Sequence, residues 1–234
     1  MRTVSEAPTV TGAIEQVSGA QRMIDAANFA AVLPRQLPPG KFQRWAVHVL
    51  SKPELVKTAA TEIGRLTIMK ALMDCASLGL EPGREFHLVP FEGKDKDGNP
   101  KPLTVTGITD YKGEIRLITN ARRCSVIAQL VRKGDTFYMR AANAPPLHEP
   151  PDASTNAEAW FDTSRPVIGG YAYCAYPGDE YSMVIRMSEQ EFLHHRAKAR
   201  TTNVWDEWPE AQRLKTLAHQ LRKWVPWSAE WVPS

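Results

Sequence analysis

The sequence predicts an α+β fold: a twisted antiparallel β-sheet flanked by helices, with an N-terminal helical region and a C-terminal basic amphipathic helix. Three observations carry this. Glu54 to Leu78 places apolar residues at spacings of three and four. Two pairs of short apolar runs, Glu85–Phe91 with Leu103–Thr109 and Val167–Tyr176 with Tyr181–Met187, bracket the turn sequences EGKDKDGNPKP and PGDE. Finally, Leu214, Leu217, Ala218, Leu221, Trp224 and Val225 fall on one side of a helical wheel at about 100° per residue, with Lys215, His219, Arg222 and Lys223 on the other.

Taken in order, Met1 to Val17 is polar and rich in small residues, as expected of a weakly ordered arm. A first helix is expected over Gln21–Leu33, and PRQLPPG (Pro34 to Gly40) breaks the chain. A second helix spans Phe42–Leu50. The stripe Leu55, Ala59, Ile63, Leu66, Met69, Leu72 and Cys75 or Ala76 predicts one long core helix ending at Gly79 and Pro82. After the first hairpin, Asp110 can cap a helix running to about Arg123, with Ile115, Leu117, Ile118 and Ala121 inward. Cys124–Val131 and Thr136–Arg140 are expected to pair across a turn at Lys133 to Asp135. Ala144 to Pro166 is a surface excursion that docks Trp160 and Phe161 on the body. Ser188 with Glu191 three residues on forms a capping box for a helix to about Ala199. Asp206 can cap the last helix, Pro209 is tolerated in its first turn, and Pro226 stops it. The expected organisation is an arm with a helix over 1–40 as a candidate oligomer contact, a core over 41–226, and a residual tail over 227–234.

Composition narrows the function. The chain has 234 residues, 43% of them hydrophobic, enough for a real core. Net charge is only +3, so anion binding has to come from local clusters. One cluster holds Lys112, Arg116, Arg122, Arg123, Arg132, Lys133 and Arg140; a second holds Arg196, Lys198, Arg200, Arg213, Lys215, Arg222 and Lys223. Cys75, Cys124 and Cys174 are odd in number with no CxxC pair, which argues against a disulfide framework or a zinc knuckle. With no apolar run of membrane-spanning length and no signal-peptide pattern, a cytoplasmic protein is expected.

Chemistry has no footprint. GLEPGR (Gly79 to Arg84) lacks the GK[ST] ending of a phosphate-binding loop, and no GxGxxG opens a helix. Adjacent His194 and His195 diverge on a helix and cannot share a metal. Asp95 and Asp97 are turn residues. The sequence points to binding, with no cofactor and no catalytic residue.

Three segments in a fixed order resemble the RecT/Redβ family of phage-type single-strand annealing proteins, on the RecT branch. They are LGLEPG (Leu78 to Gly83) before a strand ending Pro90-Phe91; Tyr111-Lys112-Gly113 with Arg122-Arg123, then a strand leading into Arg132-Lys133-Gly134-Asp135; and Lys198-Ala199 through Trp205 and Trp208 to Lys215-Thr216, Leu221, Lys223 and Pro226. The chain departs from that pattern at Asp110, at Asn203-Val204, by one residue between Trp208 and Lys215, and at His219 and Gln220, where relatives often carry two arginines.

The resemblance implies a non-enzymatic, ATP-independent protein of the bacterial host cytoplasm that binds single-stranded DNA and the duplex annealing intermediate. It also implies a homo-oligomeric ring or filament, and a partner exonuclease or host single-strand-binding protein. Phosphates would be met by Lys112, Arg116, Arg122, Arg123, Arg132, Lys198, Arg200, Lys215, Arg222 and Lys223, with Thr201 beside them. Tyr111 and Trp205 are candidates for stacking on bases, with core packing as the alternative for each. Core packing is expected for Trp208. A sequence-tolerant binding module without annealing activity is the alternative function.

Overall fold

The computed structural model describes residues 19–93, 96–199 and 202–232. Its helices and antiparallel sheets form an α+β protein, as the sequence predicts. No described helix is long and apolar enough to cross a membrane. The chain divides into two compact units, residues 1–113 and 114–234.

In the first unit, helical residues 19–25 (α1) and a 3-10 turn at Phe29–Ala31 replace the single helix expected over Gln21–Leu33. Then come α2 (Pro39–Leu50), α3 (Pro53–Ala59) and α4 (Glu62–Ser77). The long helix expected over Glu54–Leu78 is therefore two. Thr61 is the cause: its hydroxyl accepts the Gly64 N–H at 3.0 Å, an N-cap that starts a new helix. A Cβ on Gly64 would lie 1.8 Å from the Thr58 carbonyl oxygen, so only glycine permits this turn. The break also resets the helical phase. Gly64, Ile68, Ala71, Leu72 and Cys75 face inward, while Ile63 and Leu66, expected in the core, are exposed.

The motif LGLEPG is the hinge from α4 into the hairpin. Gly79 adopts φ 65° after the helix, Leu80 is fully buried, and the Gly83 N–H donates to the Phe86 carbonyl at 2.7 Å. The hairpin pairs β1 (Phe86–Phe91) with β2 (Thr104–Thr109). α4 packs on it, with the Val105 N–H donating to the Thr67 hydroxyl at 3.0 Å. Helix α5 (Tyr111–Ala121) follows, and Asp110 Oδ1 accepts the Lys112 N–H at 3.1 Å, the cap expected from sequence.

The second unit is built on β6 (Val167–Tyr176). β3 (Ser125–Arg132) pairs with one edge of it; β7 (Glu180–Tyr181) and β8 (Ile185–Ser188) pair with the other. The expected pairing of β3 with β4 (Thr136–Tyr138) does not occur: β4 pairs with β5 (Leu147–Glu149). Gly134 at φ 94° swings the chain away after β3, and the ten-residue β6 satisfies the whole length of β3.

α6 (Glu189–Lys198) starts in the predicted Ser188–Glu191 capping box. α7 (Asn203–Glu207) and α8 (Pro209–Arg222) are separate helices. Trp208, at φ −130° and ψ 59°, is the junction, because a residue before proline is pushed out of the helical region. Asp206, expected as the N-cap of α8, lies in α7 and pairs with Arg196 at 2.5 Å. Leu217, Leu221 and Val225 seat α8 and its exit in a core with Ile118, Ala172, Cys174, Met187 and Phe192. Close approach is possible because Gly170 has no side chain: a Cβ there would meet Leu217 Cδ1 at 2.9 Å.

Residues after α8 close the C-terminal end of α5. The N–H groups of Ser228 and Val232 donate to the carbonyls of Leu117 and Asn120 at 2.9 and 2.8 Å, supplying partners that a helix end lacks.

Candidate nucleic-acid interface

The expected phosphate-binding residues separate into engaged and available groups. Arg132 is engaged. Its Nη2 reaches Glu210 at 2.6 Å and its Nη1 donates to the carbonyls of Thr163 and Arg165 at 3.2 and 2.9 Å, leaving the side chain 12% exposed. It ties the 144–166 excursion to α8. Beside it, Asp135 accepts hydrogen bonds from Arg165, His148 and the Arg132 N–H. Burial pushes its carboxyl up, but these three bonds together hold it below the ordinary carboxylate range.

Arg222 is engaged too. With His219 it turns toward α5, where Glu114 is buried. His219 Nδ1 lies 2.7 Å and Arg222 Nη1 3.3 Å from Glu114 Oε1. The Arg222 guanidinium also sits 4.7 Å from the centre of the Trp227 ring. The outward cationic stripe expected on α8 thus loses two of its members to a carboxylate that the wheel could not see.

Arg122 and Arg123 follow the end of α5. Arg122 pairs with Glu180, which holds its guanidinium protonated more firmly than usual, and lies 4.1 Å from the Tyr176 ring centre. Arg123 is exposed, with no ion-pair partner among the described residues. Arg116 and Lys215 are half-buried on α5 and α8. In the first unit, Tyr111 is half-buried and Lys112 is exposed, its Nζ 5.9 Å from the Tyr111 ring centre. Arg200 and Thr201 lie outside the described residues.

Lys198 and Lys223 are both exposed. They end α6 and α8, and both act on His195, whose imidazole is held below its ordinary pKa by burial first and then by Lys223, His194, Lys198 and His219. Lys223 Nζ donates to the half-buried Gln220 side chain at 2.9 Å and, being exposed itself, keeps its charge facing water.

The tryptophans exchange roles. Trp205 packs against the core of the second unit. Trp208, expected in the core, and Trp224, assigned to the apolar face, are 60% and 63% exposed. Both errors have a local signal: Trp208 precedes proline, and Trp224 lies beyond the last turn of α8, where a helical wheel no longer applies.

The RecT family model matches residues 41–234. The chain belongs to the RecT family. It is also 27% identical to Protein RecT of Escherichia coli (strain K12), over 86% of this chain and 71% of that protein. The RecT match takes in the hinge at LGLEPG, the Arg132–Asp135 turn, α6 to α8 and the segment that closes α5. Within this RecT chain, then, family motifs divide between scaffold and surface: LGLEPG and Arg132 to Asp135 hold the fold, while Lys198 and Lys223 face water.

Proposed function

We propose that this RecT-family chain binds single-stranded DNA without regard to sequence and pairs complementary strands as an oligomer, without nucleotide hydrolysis or a cofactor. The observation that carries the reading is that Lys198 and Lys223, at the C-terminal ends of α6 and α8, are exposed with no carboxylate partner among the described residues. Cations at helix ends also complement the helix dipole. Here both lysines are exposed and neither holds a carboxylate among the described residues, which favours an external anion. Phosphate contacts of this kind lower the repulsion between two strands and specify no base. Arg123, Lys112, Arg116 and Lys215 extend the proposed set, with Arg200 and Thr201 in the same stretch of chain as Lys198. Arg122, Arg132 and Arg222 are placed in supporting roles, because each already holds a carboxylate.

Oligomerisation belongs to the same reading. Ile63 and Leu66, 50% and 63% exposed on adjacent turns of α4, form an apolar pair suited to a neighbouring copy. The arm is the other candidate contact, and its first eighteen residues lie outside the described residues. A partner exonuclease or host single-strand-binding protein completes the proposal.

Mixing complementary fluorescent oligonucleotides tests it. Acceleration of pairing over a salt-matched control, without ATP, is expected. Tight binding of single strands with no acceleration would leave a binding module in place of an annealing protein.

A further inference from the structure

A cavity of about 600 Å³, open to solvent, is lined by Gln190, His194 and His195 of α6, the helix that Lys198 ends, and by Gln220, to which Lys223 donates. Its floor is apolar, from Val184 and Met187 at the edge of the core, and its rim is polar, from Gln190, Gln220 and His194. One wall is Trp224. The backbone of Trp224 is fixed, its N–H donating to the Leu221 carbonyl at 2.9 Å and the next residue, Val225, buried in the core. Its indole nonetheless stands 63% exposed. The carboxylate of Glu191, which also lines the cavity, is turned to the N–H and hydroxyl of Ser188 at 2.8 Å each and is compensated there.

A rigidly mounted, exposed indole over an apolar floor is suited to a flat, partly apolar ring with hydrogen-bonding edges. The neighbouring lysines select for a ring that carries negative charge on either side of it. An unpaired nucleotide has both properties. Amide side chains such as Gln190 and Gln220 can donate or accept, so they suit any base edge and impose no sequence.

We infer that the cavity walled by Trp224 receives an unpaired nucleobase of the bound strand, stacked on the indole, while Lys198 and Lys223 hold the flanking phosphates. This rests on the single-strand-binding reading above and adds a base-contacting site to it. Bases in a closed duplex are stacked on each other, so the site takes a single strand and releases its base when the complement pairs with it.

The test compares an oligothymidylate with an abasic strand of equal length, binding to wild type, Trp224→Ala and Trp224→Phe at several salt concentrations. Trp224→Ala is expected to bind oligothymidylate on the order of tenfold more weakly with an unchanged salt slope, and Trp224→Phe to recover most of the loss. Wild type and Trp224→Ala should bind the abasic strand equally. Near-ultraviolet irradiation of wild type on a bromouracil-substituted strand should place the adduct at Trp224. Equal loss on both strands, or no loss on oligothymidylate, overturns the base site while leaving strand binding intact. A changed sedimentation of the DNA-free variant without a changed base preference assigns the cavity to a second copy of the chain and also overturns it. Wild type that binds neither strand in a salt-dependent way overturns the underlying reading as well.

Discussion

Arg222 on α8 holds the carboxylate of Glu114 on α5, 3.3 Å from Nη1 to Oε1, at a site where Glu114 is 1% exposed. Glu114 Oε2 and Arg222 Nε are buried there without a hydrogen-bond partner among the described residues. A buried, incompletely satisfied pair contributes little net stability but is costly to break from one side.

Arg222→Ala is therefore expected to lower unfolding stability by about 3 kcal/mol, read as the shift of a denaturant midpoint, while Lys223→Ala stays within about 0.5 kcal/mol of wild type. The double variant Glu114→Ala/Arg222→Ala should lose less than the sum of the single losses. Additive losses would mean that the two side chains do not interact.

Salt dependence separates the available cations from the engaged ones. Lys198→Ala, Lys223→Ala and Arg123→Ala should each reduce the slope of log binding constant against log salt by about 0.7 on a single strand, at unchanged stability. If all three slopes match wild type, the cluster faces only solvent.

Asp135 gives the second unit an acid-sensitive joint. Its folded-state pKa is depressed, so its contribution is present above the ordinary carboxylate value of about 3.9 and is lost as pH falls through the lower folded value. Asp135→Asn should cost about 3 kcal/mol at neutral pH and should flatten this acid limb. The stability of both proteins against pH, followed by circular dichroism, checks the sign. An Asn variant with the wild-type acid limb would place the sensitivity elsewhere.

Gly64→Ala should open the α3–α4 turn, because its Cβ would overlap the Thr58 carbonyl oxygen. A loss of about 1 to 3 kcal/mol is expected in thermal unfolding, with no change in the salt slope for DNA. A neutral substitution would show that Thr61 alone sets the break.

What sequence made legible was local. The β1–β2 hairpin, the Ser188–Glu191 capping box and the stop at Gly79 each depend on residues within a few positions of one another. What it hid was non-local. β3 chooses β6 over the nearer β4, and nothing within β3 records that choice. His219 and Arg222 have the spacing of a solvent-facing stripe, but their partner Glu114 lies 108 positions before Arg222. The resemblance located the Lys198–Lys223 stretch, whereas the exposed indoles were misplaced by extending one helix through Trp208 and past Arg222.

The segment that closes α5 sets an order of events during synthesis. Asn120 waits 108 residues for Ser228, whose carbonyl accepts from the Asn120 side chain at 3.4 Å. The first unit is local in its contacts and can form while the rest is still being made. The second unit cannot complete its own helix end until residues 228–232 have been translated. A ribosome stalled before Ser228 would therefore carry a chain with its early half folded and α5 still frayed, so the second unit would be the last part of this protein to mature.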